Sequence, residues 1–244
     1  MVQGIAMNRI KPVLIDTFCG AGGCTRGYQL AGFEVVGCDI KWQPRYFGEH
    51  FIWADALDVL FALSIGDGVA DSCSPSHTWY LKDFAAIHAS PPCPFYSRLR
   101  HLPWLRDKVY WRSIPPTREA LQATGLPYII ENVEDAGWDM ENPTIVCGQA
   151  LGLNLYRHRC FEASFGLLLT YGHQKHIRVI TPGRASLGQR RHGLQGFTRK
   201  GLLRDSKGFT GHDFKGGISR ARAIMGIDWM TGRELAQAVP PVMV

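Results

Sequence analysis

The chain has 244 residues, 45% of them hydrophobic and 20% charged, which is enough to bury a full core in one domain or in a domain with a small insert. No run is apolar and long enough to cross a bilayer, and Met1 to Lys11 lacks the basic head, apolar centre and small-residue cleavage site of a secretory leader, so a non-membrane, cytoplasmic protein is expected. The net charge of +6 permits a polyanionic partner without requiring one.

The cysteines are Cys19, Cys24, Cys38, Cys73, Cys93, Cys147 and Cys160. An odd, scattered set with no C-x-x-C argues against a disulfide framework and a zinc site, and for a reducing compartment. The charge is unevenly placed. Residues 163–218 hold ten Lys or Arg against Asp205 and Asp213, a net +8 that leaves the remainder of the chain at −2.

In chain order, Pro12 to Phe18 reads as a buried strand followed by the turn Gly20-Ala21-Gly22-Gly23. A helix from Cys24 to Leu30 is closed by Gly32. A second strand, Glu34 to Cys38, ends at Asp39. Glycines after a first strand let backbone approach a ligand closely, and an acid about twenty residues on can hold ribose hydroxyls. This half therefore reads as a nucleoside-cofactor pocket. A third strand, Phe51 to Ala54, ends at Asp55, which could reach the base of the same nucleoside or cap a helix over Ala56–Ala62. Gly66 to Tyr80 reads as a loop or irregular helix with no functional signal.

Phe84 to Ala89 is a short apolar strand that runs into Ser90-Pro91-Pro92-Cys93. The two prolines lack an N–H and have fixed φ, so they end ladder pairing and stiffen the exit. A cysteine just past the C-terminal end of a strand stands where open α/β sheets place their chemistry. Arg98 to Arg112 has no clear periodicity and reads as a long loop able to act as a lid. A helix over Thr117–Thr124 ends at Gly125. Tyr128-Ile129-Ile130 then delivers Glu131-Asn132-Val133 to its C-terminal end, where a carboxylate is costly unless paired or useful. Later strands are expected at Pro143–Gly148 and Tyr156–Ala163. Within the latter, Arg157 and Arg159 share one strand face and suit a carbonyl or phosphate. Ser219 to Met225 reads as a helix, and Thr231-Gly232-Arg233-Glu234 is a capping box opening another over Gly232–Val239.

In this order the pieces resemble the cytosine-C5 DNA methyltransferase family, over nearly the whole chain. The cofactor motif D-x-F-x-G-x-G-G stands as Asp16-Thr17-Phe18-Cys19-Gly20-Ala21-Gly22-Gly23. The nucleophile motif stands as Pro92-Cys93, the E-N-V motif as Glu131-Asn132-Val133, and R-x-R as Arg157-His158-Arg159. The compact spacing resembles small methyltransferase-like proteins of bacteriophage genomes, for which the host cytoplasm is the expected location. The resemblance implies a doubly wound, mostly parallel α/β sheet of Rossmann-like type. Residues 1–162 and 218–244 would form the catalytic domain, with 163–217 as a small basic target-recognition insert.

The resemblance further implies S-adenosyl-L-methionine as cofactor, held by Phe18, Gly20, Gly22, Gly23, Asp39, Ile40, Asp55 and Pro92. Cys93 would be the nucleophile, with Glu131 and Arg159 on the target base and Arg157 behind Arg159. Double-stranded DNA would be met by Ser97, Arg190 and Arg191 in a protein expected to be monomeric and metal-free. A catalytically silent DNA-binding homologue and an RNA cytosine-C5 methyltransferase are the alternatives. The chain departs from the family in having Pro94 where Gln usually follows Pro-Cys. The family runs on into a further helix after the place where Ala236-Gln237-Ala238-Val239 stands here. This sequence ends at Val244, so either the protein does without that helix or the chain is a shortened form.

Overall fold

The computed structural model describes residues 11–102, 105, 107–153, 155, 157–167 and 217–244. Seven strands form one sheet: β1 (Val13–Thr17), β2 (Glu34–Asp39), β3 (His50–Trp53), β6 (Phe84–Ala89), β7 (Tyr128–Val133), β8 (Thr144–Cys147) and β9 (His158–Ala163). A two-stranded ribbon of β4 (Val69–Ala70) and β5 (Thr78–Trp79) lies apart from it. The sheet order is β3-β2-β1-β6-β7-β9-β8. The first five strands in that order pair in parallel, and β9 runs antiparallel to both β7 and β8.

Period-two alternation sends neighbouring side chains to opposite faces. Ile15, Val36, Ile87 and Ile130 face a core covered by α2 (Ala56–Ser64) and α3 (Ile114–Thr124). Leu14 and Val35, with the partly buried Ala86 and Ile129, face the other side. There α1 (Gly23–Leu30) and the final turn Pro241–Met243 cover them. Both faces are buried, so this is an open, doubly wound α/β sheet.

The chain winds outward from β1 to β3 and then returns to place β6 on the other side of β1. The order therefore reverses between β1 and β6. In such sheets the crevice outside the carboxyl ends of the strands at that reversal is where ligands bind. Here those two ends carry the Phe18–Gly23 turn and the Ser90–Cys93 turn.

Several elements differ from the sequence expectation. α3 begins at Ile114, three residues early, because Pro115 and Pro116 fall in its first turn, where a missing N–H costs nothing. The last helix, α5 (Gly232–Gln237), follows α4 (Gly217–Met225) and ends short of Val239. Val239 precedes Pro240, and a residue before proline is driven out of the helical region. The capping box on α5 forms as expected, with Thr231 and Glu234 satisfying each other's backbone N–H.

The stretch Gly66–Tyr80 is more ordered than its composition suggests. Fully buried Asp71 accepts from the N–H groups of Cys73 (2.8 Å) and Ser74 (3.3 Å), from Trp79 Nε1 (3.3 Å), and pairs with His50 Nδ1 (2.6 Å). Burial works to raise its pKa, but the His50 and backbone hydrogen bonds outweigh it and the net shift is downward. Ser72 then continues the sheet past β3, donating to Phe51 O (2.7 Å) and accepting from Trp53 N–H (2.9 Å). This covers an otherwise open sheet edge.

Candidate active site

The first half of the site is the turn after β1. Phe18 adopts φ +57°, Gly20 φ +52° and Gly22 φ +86°. Left-handed backbone is easy for glycine and costs a bulky residue on the order of 1–2 kcal/mol, so Phe18 is strained here. The turn is pinned from inside, with Cys19 N–H on Cys38 O (3.1 Å) and Gly22 N–H on Cys19 O (3.0 Å). Asp39, at the end of β2, accepts from Gly20 N–H (3.0 Å) and from Lys41 N–H (2.9 Å). A Cβ on Gly20 would meet nothing within 4 Å, so that side of the turn is open space. Gly23 is glycine for the opposite reason, since a Cβ there would lie 2.8 Å from Val239 O.

The donor set suits an adenosine-bearing cofactor. It offers an acid anchored at the second strand end, an open glycine turn, and apolar surface beside them. Ile40 is 62% exposed, and Trp53, 59% exposed, donates its Nε1 to Ile40 O (3.1 Å). Trp42 packs edge-on to Trp53 at 5.9 Å. Trp42 and Trp53 were not among the expected site residues. The available signal was two large aromatic residues close to the exits of β2 and β3, within three positions of Asp39 and Asp55. Asp55 takes up the second of its two readings: its Oδ1 caps α2 through Leu57 N–H (2.8 Å).

Behind the turn, Asp16 is fully buried. Its Oδ2 accepts from Thr25 Oγ1 (2.6 Å), and its Oδ1 has no partner among the described residues. Burial pushes its carboxyl pKa up to about 7, with the Thr25 hydrogen bond pulling the other way. A folded-state pKa above the unfolded one contributes stability that is complete below about pH 4 and is lost as pH rises through about 7. The full loss is on the order of 4 kcal/mol. Asp16→Asn should therefore flatten the fall in unfolding free energy between about pH 4 and 8. Denaturant unfolding at the two ends of that range measures it, and an unchanged slope would place the pH sensitivity elsewhere.

The second half is the turn after β6. Its carbonyls are held from two directions: Asn132 Nδ2 donates to Pro91 O (3.0 Å), and Ser113 Oγ donates to Pro92 O (2.9 Å). Ser90 N–H extends the β1 pairing onto Thr17 O (3.2 Å). Tyr96 and Ser97 N–H groups both close on Cys93 O (3.0 and 2.9 Å). Asn132 thus ties the cysteine turn to the strand that carries Glu131.

A buried chain of contacts, absent from the sequence reading, fixes Ser90 from behind. Tyr28 OH meets His88 Nδ1 (2.9 Å), His88 Nε2 meets Ser90 Oγ (2.9 Å), and Cys24 Sγ lies 3.8 Å from Ser90 Oγ. Burial lowers the His88 pKa to about 3, so the imidazole is neutral across the working range.

Cys93 and Pro92 are exposed residues. Desolvation of the Cys93 sulfur raises the thiol pKa; Arg159 pulls it down, Glu131 adds to the rise, and Arg157 lowers it. The nucleophile candidate, the acid and both arginines therefore act on one another electrostatically. Glu131, 5% exposed, binds Arg159 Nε through Oε1 (2.7 Å). The register explains the pair. Glu131 faces Phe161 and Val133 faces Arg159, so Glu131 and Arg159 are diagonal neighbours on one sheet face.

Arg157 does something the sequence reading did not anticipate. Its Nη2 donates to Ala236 O (3.2 Å) and to Ala238 O, the carbonyls freed where α5 ends. Its Nε is buried without a partner among the described residues. Burial and the neighbouring Arg159 push its pKa down, with Glu131 opposing. Arg157 therefore fastens the C-terminal segment to the site. The same segment reaches the glycine turn, where Trp229 Nε1 donates to Ala21 O (2.8 Å).

The loop after Cys93 hangs from a closed stem. Tyr96 OH donates to Asp139 Oδ2 (2.8 Å) and accepts from Ile114 N–H (3.1 Å). At the far end Arg112 Nε donates to the same Asp139 Oδ2 (2.9 Å), while its Nη2 reaches Oδ1. Arg190, Arg191 and nearly all of the 163–217 insert lie outside the described residues. Among the described residues no cluster of His, Cys, Asp and Glu could hold a metal ion, and no helix is long and apolar enough to cross a membrane.

No family model and no curated protein matches the chain. Solved structures that resemble it include a DNMT2 variant from Spodoptera frugiperda, at 10% identity and TM-score 0.47 over 95% of this chain and 97% of that one. The Dnmt2 methyltransferase of S. pombe is 13% identical, with TM-score 0.43 over 96% of each chain. The Entamoeba histolytica methyltransferase EhMeth is 11% identical, with TM-score 0.44 over 96% of this chain and 95% of that one. Scores this low leave the fold to be defined by the sheet order itself, and the chemistry by the side chains.

Proposed function

We propose that this chain transfers a methyl group from S-adenosylmethionine to C5 of a cytosine in DNA, with Cys93 as nucleophile. The observation that carries the reading is the placement of Cys93 and the open glycine turn outside the carboxyl ends of β6 and β1, around the order reversal of the sheet, with the Glu131–Arg159 pair toward the carboxyl end of β7 beside them. Phe18, Gly20, Asp39, Ile40 and Trp53 would hold the cofactor. When bound, it supplies a methyl group made electrophilic by a sulfonium.

The residues account for the remaining chemistry. C5 of cytosine is too weak a nucleophile to take a methyl unaided. The Cys93 thiolate adds at C6, and the electrons of the 5,6 double bond move toward C5 as Glu131 gives a proton to N3. Arg159 holds O2 and stabilises the developing charge. Once C5 carries its methyl, loss of the C5 proton to solvent and expulsion of sulfur restore the ring, and the N3 proton returns to Glu131. The thiol pKa is raised in the free protein, so Arg159, which favours the thiolate, is the group that prepares it. Attack requires the face of the base, so the cytosine leaves the stack at a cost of about a few kcal/mol.

The direct test is a covalent trap, in which the protein and S-adenosylmethionine are incubated with duplex DNA carrying 5-fluorocytosine. Fluorine cannot leave as a proton does, so a denaturant-stable adduct should accumulate. The same trap on transfer RNA separates the two substrates, and an adduct on RNA alone would overturn the DNA assignment. No adduct on either, with binding intact, would leave a nucleic-acid-binding protein without turnover.

Glu131→Gln should lower kcat by about 10²–10⁴-fold, the usual worth of a positioned acid. Oligonucleotide affinity should change far less. Methyl-transfer rates beside binding isotherms give the comparison, and equal losses in both would count against the acid role.

A further inference from the structure

We infer that Phe95 and Trp138, with the guanidinium groups stacked on them, form a platform for an unpaired nucleobase beside the target cytosine. This rests on the nucleic-acid substrate proposed above and goes beyond it in naming where a second base lies. Trp138 is 64% exposed, though it stands only seven positions beyond the buried Glu131, on the short helical turn Glu134–Asp139. Its ring is 6.4 Å from Phe95 and 6.0 Å from Tyr96. Phe95 itself is two positions beyond Cys93. The two rings therefore follow the carboxyl ends of adjacent strands, on the same rim as the nucleophile and the acid.

Each ring carries a cation. The Arg112 guanidinium carbon lies 5.4 Å from the Trp138 ring centre, and that of Arg100 lies 5.1 Å from the Phe95 ring centre. Neither arginine is loose: Arg112 is forked onto Asp139, and Arg100 Nη1 donates to Phe95 O. An exposed ring, Trp138, beside a partly buried one, Phe95, interleaved with fixed positive charge, matches a ligand that has flat π faces and a phosphate backbone. A single strand, or a strand opened when a base is flipped, presents both. A fully paired stack hides its faces. Burial gives little reason for an indole at this place, because most of its surface is in water.

The test is binding of a labelled, cytosine-free oligothymidylate, which needs neither cofactor nor turnover. Trp138→Ala should weaken binding on the order of tenfold, and Trp138→Phe by less, because a smaller ring still stacks. The dependence on salt should keep its slope in both variants, since no phosphate contact is removed. Abasic positions in the oligomer should weaken wild-type binding and have little further effect on Trp138→Ala. Additive losses, or unchanged affinity with an unchanged melting temperature, would overturn the platform. A paired duplex assayed alongside separates the two sources: sensitivity of duplex binding to Trp138→Ala only when a mismatch is present would assign the platform to the opened strand. If Trp138→Ala binds normally while the 5-fluorocytosine adduct still forms, the platform fails and the methyl-transfer reading stands. If stacking is found and no adduct forms, the reverse holds.

Discussion

Cys93→Ala should leave no detectable 5-fluorocytosine adduct and no methyl transfer, while binding DNA about as tightly as the parent protein. The expectation follows from what Cys93 does and does not hold up. The residue is exposed, though its sulfur is partly desolvated, and the turn around it is built from contacts to backbone: Asn132 on Pro91 O, Ser113 on Pro92 O, and two N–H groups on Cys93 O. Removing the sulfur removes none of these, so the variant should fold with an unchanged melting temperature. Removing the nucleophile leaves C5 with no route to activation, which is why the loss should be complete. Residual turnover in a protein free of wild-type contamination would sink the nucleophile assignment.

Arg118→Leu should produce a large effect of another kind, a loss of about 3–5 kcal/mol of stability, because it leaves a buried carboxylate unpaired. Arg118 grips Glu162 with both donors of its fork, Nε and Nη2 each at 2.6 Å, and Nη2 also donates to Asp139 O (2.8 Å). Glu162 is 1% exposed and takes Glu141 N–H as well (2.7 Å). For a chain of this size the loss corresponds to a melting temperature lower by about 10 °C. Adding Glu162→Met should recover much of it, since a buried ion pair replaced whole by apolar groups is often near neutral. If the double variant is as unstable as the sum of its parts, the pair is not coupled and its desolvation argument fails. Through Asp139, which anchors both Tyr96 and Arg112, the single variant should also loosen the loop beside Cys93.

The parts of this protein that could be read from its sequence are those fixed by neighbours in the chain. β6 falls on the expected residues, because an apolar run stopped by two prolines leaves little choice of boundary. β1 and the glycine turn were legible for the same reason, while the hydrogen bond from Gly20 N–H to Asp39 was not part of the expectation. What stayed hidden depends on partners far apart. Arg157 was expected behind Arg159 at the target base, and its hold on carbonyls about eighty positions away could not be read from the sequence. The His88–Ser90 contact behind the nucleophile needs Tyr28, which only the return of β6 beside β1 supplies. The ribbon of β4 and β5 went unseen because two-residue strands have no periodicity to detect, although Asp71-Ser72-Cys73-Ser74 carried the side-chain signature of a turn. Trp138 carried no signal in the sequence, since an aromatic residue is more often core than contact and only its exposure separates the two.

The long reach of the C-terminal segment bears on how the site comes into being. Trp229 closes on Ala21 across 208 positions, and Arg157 waits for Ala236 and Ala238. Contacts of such separation are made late, since the entropy of closing the loop is spent before anything is gained. On the ribosome the parallel strands can begin to pair while the chain is still growing. The glycine turn and the arginine beside the nucleophile cannot take their final form until residues 229–238 have emerged. A nascent or C-terminally nicked chain would therefore carry every proposed catalytic side chain and still lack the assembled site.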